Sequence, residues 1–146
     1  MYKRKGILTL FAFIFMVFSQ SLFAADAGQR LFVNLTSSEL NRAAMAIGFS
    51  TKVLTEKKIP VTIFLNVEGV RIADKSIPEN RYVNGQSLKE MLSSFMDAGG
   101  RVIVCPMCME NVGGLVKEDL VPGVEVGGTD VTWPALFEQG TTVLSY

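Results

Sequence analysis

The chain has 146 residues, 49% of them apolar and 19% charged, with 14 basic and 14 acidic side chains and no histidine. That length suits one domain with an adequate core, and the even charge mixture offers no basic patch for nucleic acid. The missing imidazole excludes Ser-His-Asp and Cys-His nucleophile pairs, histidine general-base catalysis and any histidine-containing zinc site.

At the start of the chain, Lys3, Arg4 and Lys5 precede an apolar run from Ile7 to Phe18, a polar break at Ser19-Gln20-Ser21 and the small residues Ala24-Ala25. This is the order of a secretory signal peptide, and the apolar run is short for a membrane span. The expectation is cleavage after residues 1–24, with residues 25–146 forming a single periplasmic or secreted domain that has no stable membrane association. Cleavage removes three basic side chains and leaves the mature chain mildly acidic.

Leu31 to Leu35 reads as a first strand. Thr36-Ser37-Ser38-Glu39 then reads as a capping box with Thr36 as the cap and Glu39 returning the bond. Leu40, Ala43, Ala44, Ile47, Thr51 and Leu54 recur at helical steps and place one apolar stripe through about Leu54. Asn34-Leu35-Thr36 fits a glycosylation acceptor formally, but an asparagine inside a strand favours the structural reading. Pro60 to Val67 reads as the second strand, and the polar stretch from Arg71 to Gln86 as a long loop with a short helix in it.

Ser87 to Glu90 opens a further helix, with Leu88, Met91, Leu92, Phe95 and Met96 on one face and Gly99-Gly100 ending it. Val102-Ile103-Val104 is a buried strand, and Cys105-Pro106-Met107-Cys108 follows it directly. Proline suits the first turn of a helix, so Cys105 belongs at a strand-to-helix switch, where N-terminal amides favour a thiolate. A short helix from Met109, a short strand near Val124 to Val126, a helix within Thr129 to Phe137 and a final strand from Thr141 complete the chain. Trp133 reads as a core or interface residue. The alternation predicts parallel βαβ units with helices on both faces of a sheet.

Cys105 and Cys108 are the only cysteines. In an exported protein two thiols this close tend to join, so a structural disulfide is one reading of the pair. Sulfur redox chemistry is another. A thioredoxin-like oxidoreductase fits the local C-P-x-C pattern, but two βα units precede the motif and few residues follow it. Cys105, Met107, Cys108 and Met109 also form a set of soft ligands suited to Cu(I). Helical geometry brings together only Cys105 and Cys108 of that set, because positions one and two apart do not share a face.

Four stretches of the mature chain carry a family likeness. They are Leu31 to Leu35, Val61 to Val70 with Ala73-Asp74-Lys75, Arg101 to Cys105, and Gly140 to Leu144. In their order, and with a cysteine ending the third strand, the chain resembles the DsrE/DsrF-like proteins of the Dsr/Tus sulfur-relay group. The resemblance implies a three-layer α/β/α sandwich around a mainly parallel sheet of about five strands. It also implies a persulfide-carrying sulfur acceptor at Cys105 and a homo-oligomer, trimer or hexamer. Cys108 is then a resolving thiol, added where many members carry one reactive cysteine. No cofactor and no metal are called for, and the expected partners are sulfur donor and acceptor proteins or small persulfides.

Overall fold

The computed structural model describes residues 28–79, 81 and 85–146, so the expected signal segment lies outside the described residues. Five strands form one sheet: β1 Arg30–Leu35, β2 Val61–Leu65, β3 Arg101–Val104, β4 Glu125–Val126 and β5 Thr141–Ser145. Their spatial order is β4-β3-β2-β1-β5, and every pairing is parallel. The connecting helices are α1 Leu40–Lys52, α2 Leu88–Asp97, α3 Pro106–Cys108 and α4 Thr132–Phe137. A π turn, Val53–Lys57, prolongs α1, and another, Met109–Gly113, prolongs α3. This is the α/β architecture anticipated from the alternation of strands and helices.

Period-two alternation divides the sheet into two faces. Leu31, Val33 and Leu35 of β1 share one with Val61, Ile63 and Leu65 of β2 and with Val102 and Val104 of β3. Helices α1 and α2 close this face with Ala43, Ala44, Ile47, Leu92 and Phe95. Phe95 needs the bare backbone of Gly100, where a Cβ would fall 2.3 Å from its ring. The opposite face holds Phe32 and Phe64, with ring centroids 5.7 Å apart, and the buried Ile103. Helix α4 covers part of it, since a Cβ on Gly127 would meet both Ile103 and Thr132 at the start of that helix. The third layer of the sandwich is therefore thin. It leaves Trp133 and Phe137 of α4 and Val143 of β5 exposed, so Trp133 is not a core residue.

Three local expectations are revised. Helix α1 is capped by Glu39, whose carboxylate accepts the amides of Asn41 at 3.0 Å and Arg42 at 2.9 Å. Thr36 does not cap, because its amide and hydroxyl both donate to the Tyr146 carbonyl, at 2.9 and 2.7 Å, and prolong the β1–β5 edge. Strand β2 stops at Leu65 instead of Val67, because Val67 adopts φ 49° and turns the chain into a 3-10 helix, Val67–Ala73. The 3-10 helix takes in Arg71 to Ala73, the first residues of the expected long loop. The capping box at α2 stands as read: Ser87 Oγ accepts the Glu90 amide at 3.1 Å and Glu90 accepts the Ser87 amide at 2.7 Å. Asn34 lies inside β1 and its carbonyl accepts the Tyr146 amide at 3.0 Å.

Candidate functional site

The site is built where β2 and β3 end side by side. Cys105 follows Val104 and donates its backbone N–H to the Leu65 carbonyl at 2.9 Å, which carries the parallel ladder one residue beyond β3. At φ −65° and ψ 118° it is still extended, while its carbonyl already accepts the Met109 amide at 2.8 Å. Pro106 occupies the first helical position, where a missing N–H costs nothing. Cys105 is thus the cap residue of α3 at the carboxyl edge of a parallel sheet, where open α/β sheets bind their ligands. Cys108 is one turn further on. Both thiols are free and half-buried.

The surroundings of the two sulfurs differ. The amides of Cys108 and Met107 bear on the Cys105 sulfur and favour its thiolate, yet they do not close a side-chain cap. Burial opposes them and is the larger effect, with the neighbouring Cys108 thiol adding to it, so the Cys105 thiol is pushed above its ordinary value. The expected low-pKa thiolate is corrected on this point: a half-buried sulfur over a helix three residues long gains less from the helix end than it loses in hydration. Cys108 donates its S–H to Asn66 Oδ1 at 3.1 Å.

Asn66 is the residue that the sequence reading missed, since it was absorbed into the second strand. Its amide is fixed by the Leu35 carbonyl at 2.9 Å, and its side-chain oxygen also accepts the Val67 amide at 2.8 Å. Gly69 closes the turn over β1, where a Cβ would lie 2.1 Å from the Leu35 carbonyl oxygen. An asparagine three residues before a glycine at the end of an apolar strand was the available signal for a capped turn.

The soft-ligand set is not gathered. Met109 is 5% exposed in the core and Met107 is 69% exposed, so only the two cysteines meet. A cavity of about 230 Å³ lies between the 3-10 helix and α2, lined by Ser38, Arg71, Asp74, Ile77 and Lys89 among others. Neither cysteine borders it.

The DsrE/DsrF-like family profile matches residues 24–145. The chain belongs to the DsrE/DsrF-like family. Among solved structures it is similar to the YchN protein from E. coli, at 15% identity and a TM-score of 0.67, covering 81% of this chain and 99% of that one. It is also similar to MTH1491 from Methanobacterium thermoautotrophicum, a protein of unknown function, at 13% identity and a TM-score of 0.64 with the same coverage. At these identities the likeness is one of fold. No curated protein matches the sequence.

Proposed function

We propose that this DsrE-like protein is a sulfur carrier in which Cys105 accepts a sulfane sulfur and Cys108 resolves it. The observation that carries the reading is the placement of Cys105: a half-exposed thiol at the carboxyl end of a central strand, with its backbone tied to β2 and a second thiol one turn away. A thiolate there displaces sulfur from a persulfide donor, and the bound sulfur passes on when an acceptor thiolate attacks it. Donor and acceptor are proteins or small persulfides. Export ahead of residue 25 and assembly into a homo-oligomer, trimer or hexamer, belong to the same reading. The exposed Trp133, Phe137 and Val143 support assembly.

The test is intact mass after exposure of the reduced protein to polysulfide. A gain of about 32 Da per sulfur that is lost in Cys105→Ser supports the carrier. A wild-type protein that gains no sulfur sinks it. A second reading, an exported dithiol redox protein, is favoured by the spacing of Cys105 and Cys108 alone. It predicts cycling between dithiol and disulfide without any sulfur adduct.

A further inference from the structure

Asp74 and Lys89 border the cavity between the 3-10 helix and α2, and neither has a counter-ion among the described residues. Asp74 is only 8% exposed, and its Oδ1 accepts the Ser76 amide and hydroxyl, each at 2.7 Å. Those bonds fix the carboxylate without neutralising it, and a carboxylate buried this far ordinarily has a cation beside it. The Lys89 ammonium donates to the Lys75 and Ile77 carbonyls at 3.1 and 2.5 Å, so it has a donor to spare. It also stands in the first turn of α2, where the helix dipole favours an anion over a cation.

The neighbouring charges are already matched. Arg71 is engaged by Glu68 through its Nε at 2.6 Å, and Glu79 by Arg81 at 2.7 Å. The cavity therefore presents an unpaired acid and an unpaired base, and Ile72, Ile77 and Leu88 add apolar wall. Its volume of about 230 Å³ is the share of roughly eight waters at about 30 Å³ each, below the range of about 300–1,000 Å³ for drug-sized ligands. A nucleotide is too large for it. The cavity lies at the carboxyl edge of the sheet, since Ser38 comes after β1 and Arg71 to Asp74 after β2, and this is the edge where α/β proteins bind ligands.

We propose that this cavity binds a small α-amino acid in its zwitterionic form, with the ammonium on Asp74 and the carboxylate on Lys89 and the start of α2. The amides of Leu88 and Lys89 have no acceptor within the helix and can donate to that carboxylate. Ile72, Ile77 and Leu88 receive a short side chain. The site is separate from the two thiols and does not depend on the carrier reading.

The experiment uses the full chain and a panel of glycine, L-alanine, L-serine, L-threonine and L-valine, with calorimetry and proton–nitrogen correlation spectra. At least one should bind saturably, moving the amides of Ile72, Ile77 and Leu88 and leaving those of β5 in place. Its N-acetyl derivative lacks the ammonium and its amide derivative lacks the carboxylate. Each should bind about tenfold more weakly, the scale of one charge-assisted hydrogen bond. Asp74→Asn keeps the acceptor that holds Ser76 and removes the charge. It should weaken the amino acid by a similar factor and leave the N-acetyl derivative unchanged, while Lys89→Gln should weaken the amino acid and spare the amide derivative. No binding across the panel, or equal affinity for the parent and both blocked derivatives, overturns the proposal. So does an Asp74→Asn protein that binds as tightly as wild type. Should a variant fail to fold, the blocked derivatives on the wild-type protein still decide. Sulfur loading at Cys105 is read separately and should be unchanged in Asp74→Asn, so the two readings fail independently.

Discussion

The backbone of Cys105 is bonded to Leu65, N–H to carbonyl at 2.9 Å, so the β2–β3 ladder ends on the residue proposed to accept sulfur. The position of that sulfur is set by the sheet and not by its own side chain. Cys105→Ser should therefore fold like the wild type, with stability changed by no more than about 1 kcal/mol, because a small half-buried side chain is exchanged for a near-isostere. Sulfur loading from polysulfide should nevertheless disappear. Thermal unfolding read together with intact mass checks both halves, and a Cys105→Ser protein that still gains sulfur would contradict the assignment.

Burial raises the Cys105 thiol above its ordinary value, and this has a sign in both reactivity and stability. Alkylation of Cys105 should keep rising with pH beyond the range where an ordinary cysteine levels off. In linkage terms the folded state holds this proton more tightly than the unfolded chain. The associated stability is present below the unfolded thiol pKa and is lost as pH rises through the folded one. Denaturant midpoints followed upward from neutral pH should fall more steeply for the wild type than for Cys105→Ser. Parallel curves would count against a raised thiol.

Arg101 and Glu125 open β3 and β4 and meet in a two-pronged pair, Nε to Oε1 and Nη2 to Oε2 each at 2.7 Å. Their hydrogen bonds hold the Glu125 carboxyl below its usual range and the guanidinium above its own. The pair is largely exposed, so solvent screening limits its worth to about 0.5–1 kcal/mol. A lowered carboxyl pKa adds stability above the unfolded carboxylate value that is lost as pH falls through the folded one. Glu125→Gln should be less stable near neutral pH and no different from wild type in acid. An equal deficit at both pH values would remove the ionic explanation.

Val67 holds φ 49° with its side chain 46% exposed, so it has strain without much burial in return. Asparagine tolerates this region better, and Val67→Asn should stabilise the protein by about 1 kcal/mol. A lower midpoint in urea would show that the turn is not strained in solution.

The weakly covered face of the sheet offers a test of assembly. Trp133 and Phe137 are 57% and 73% exposed on α4, and they are the side chains on which the proposed assembly is tested. The double variant Trp133→Asp with Phe137→Asp should shift the mass seen by light scattering from an oligomer to a monomer, with the far-ultraviolet spectrum retained. A wild type that is already monomeric at micromolar concentration would dispose of the trimer or hexamer.

Sequence alone determined the parts of this protein that depend on short-range chemistry. The runs Leu31 to Leu35 and Pro60 to Val67 spell strands through their β-branched and aromatic content, and Val102 to Val104 spells a buried one, although where the second strand ends was not legible. Ser87 and Glu90 announce their helix start through two reciprocal hydrogen bonds four residues wide. The likeness of these pieces to the DsrE/DsrF-like family was legible for the same reason, as was the placing of Cys105 after a strand and before a proline. The tertiary structure alone decided what passes between distant segments. Thr36 forsook its helix because Tyr146 lies 110 residues away in sequence and within 2.7 Å in space. Asn66 reaches Cys108 only because β2 and β3 are neighbours, and no periodicity in the chain encodes that meeting. The upward shift of the Cys105 thiol was likewise hidden, since a cysteine's pKa follows its burial and its partners, and both exist only once the chain has folded.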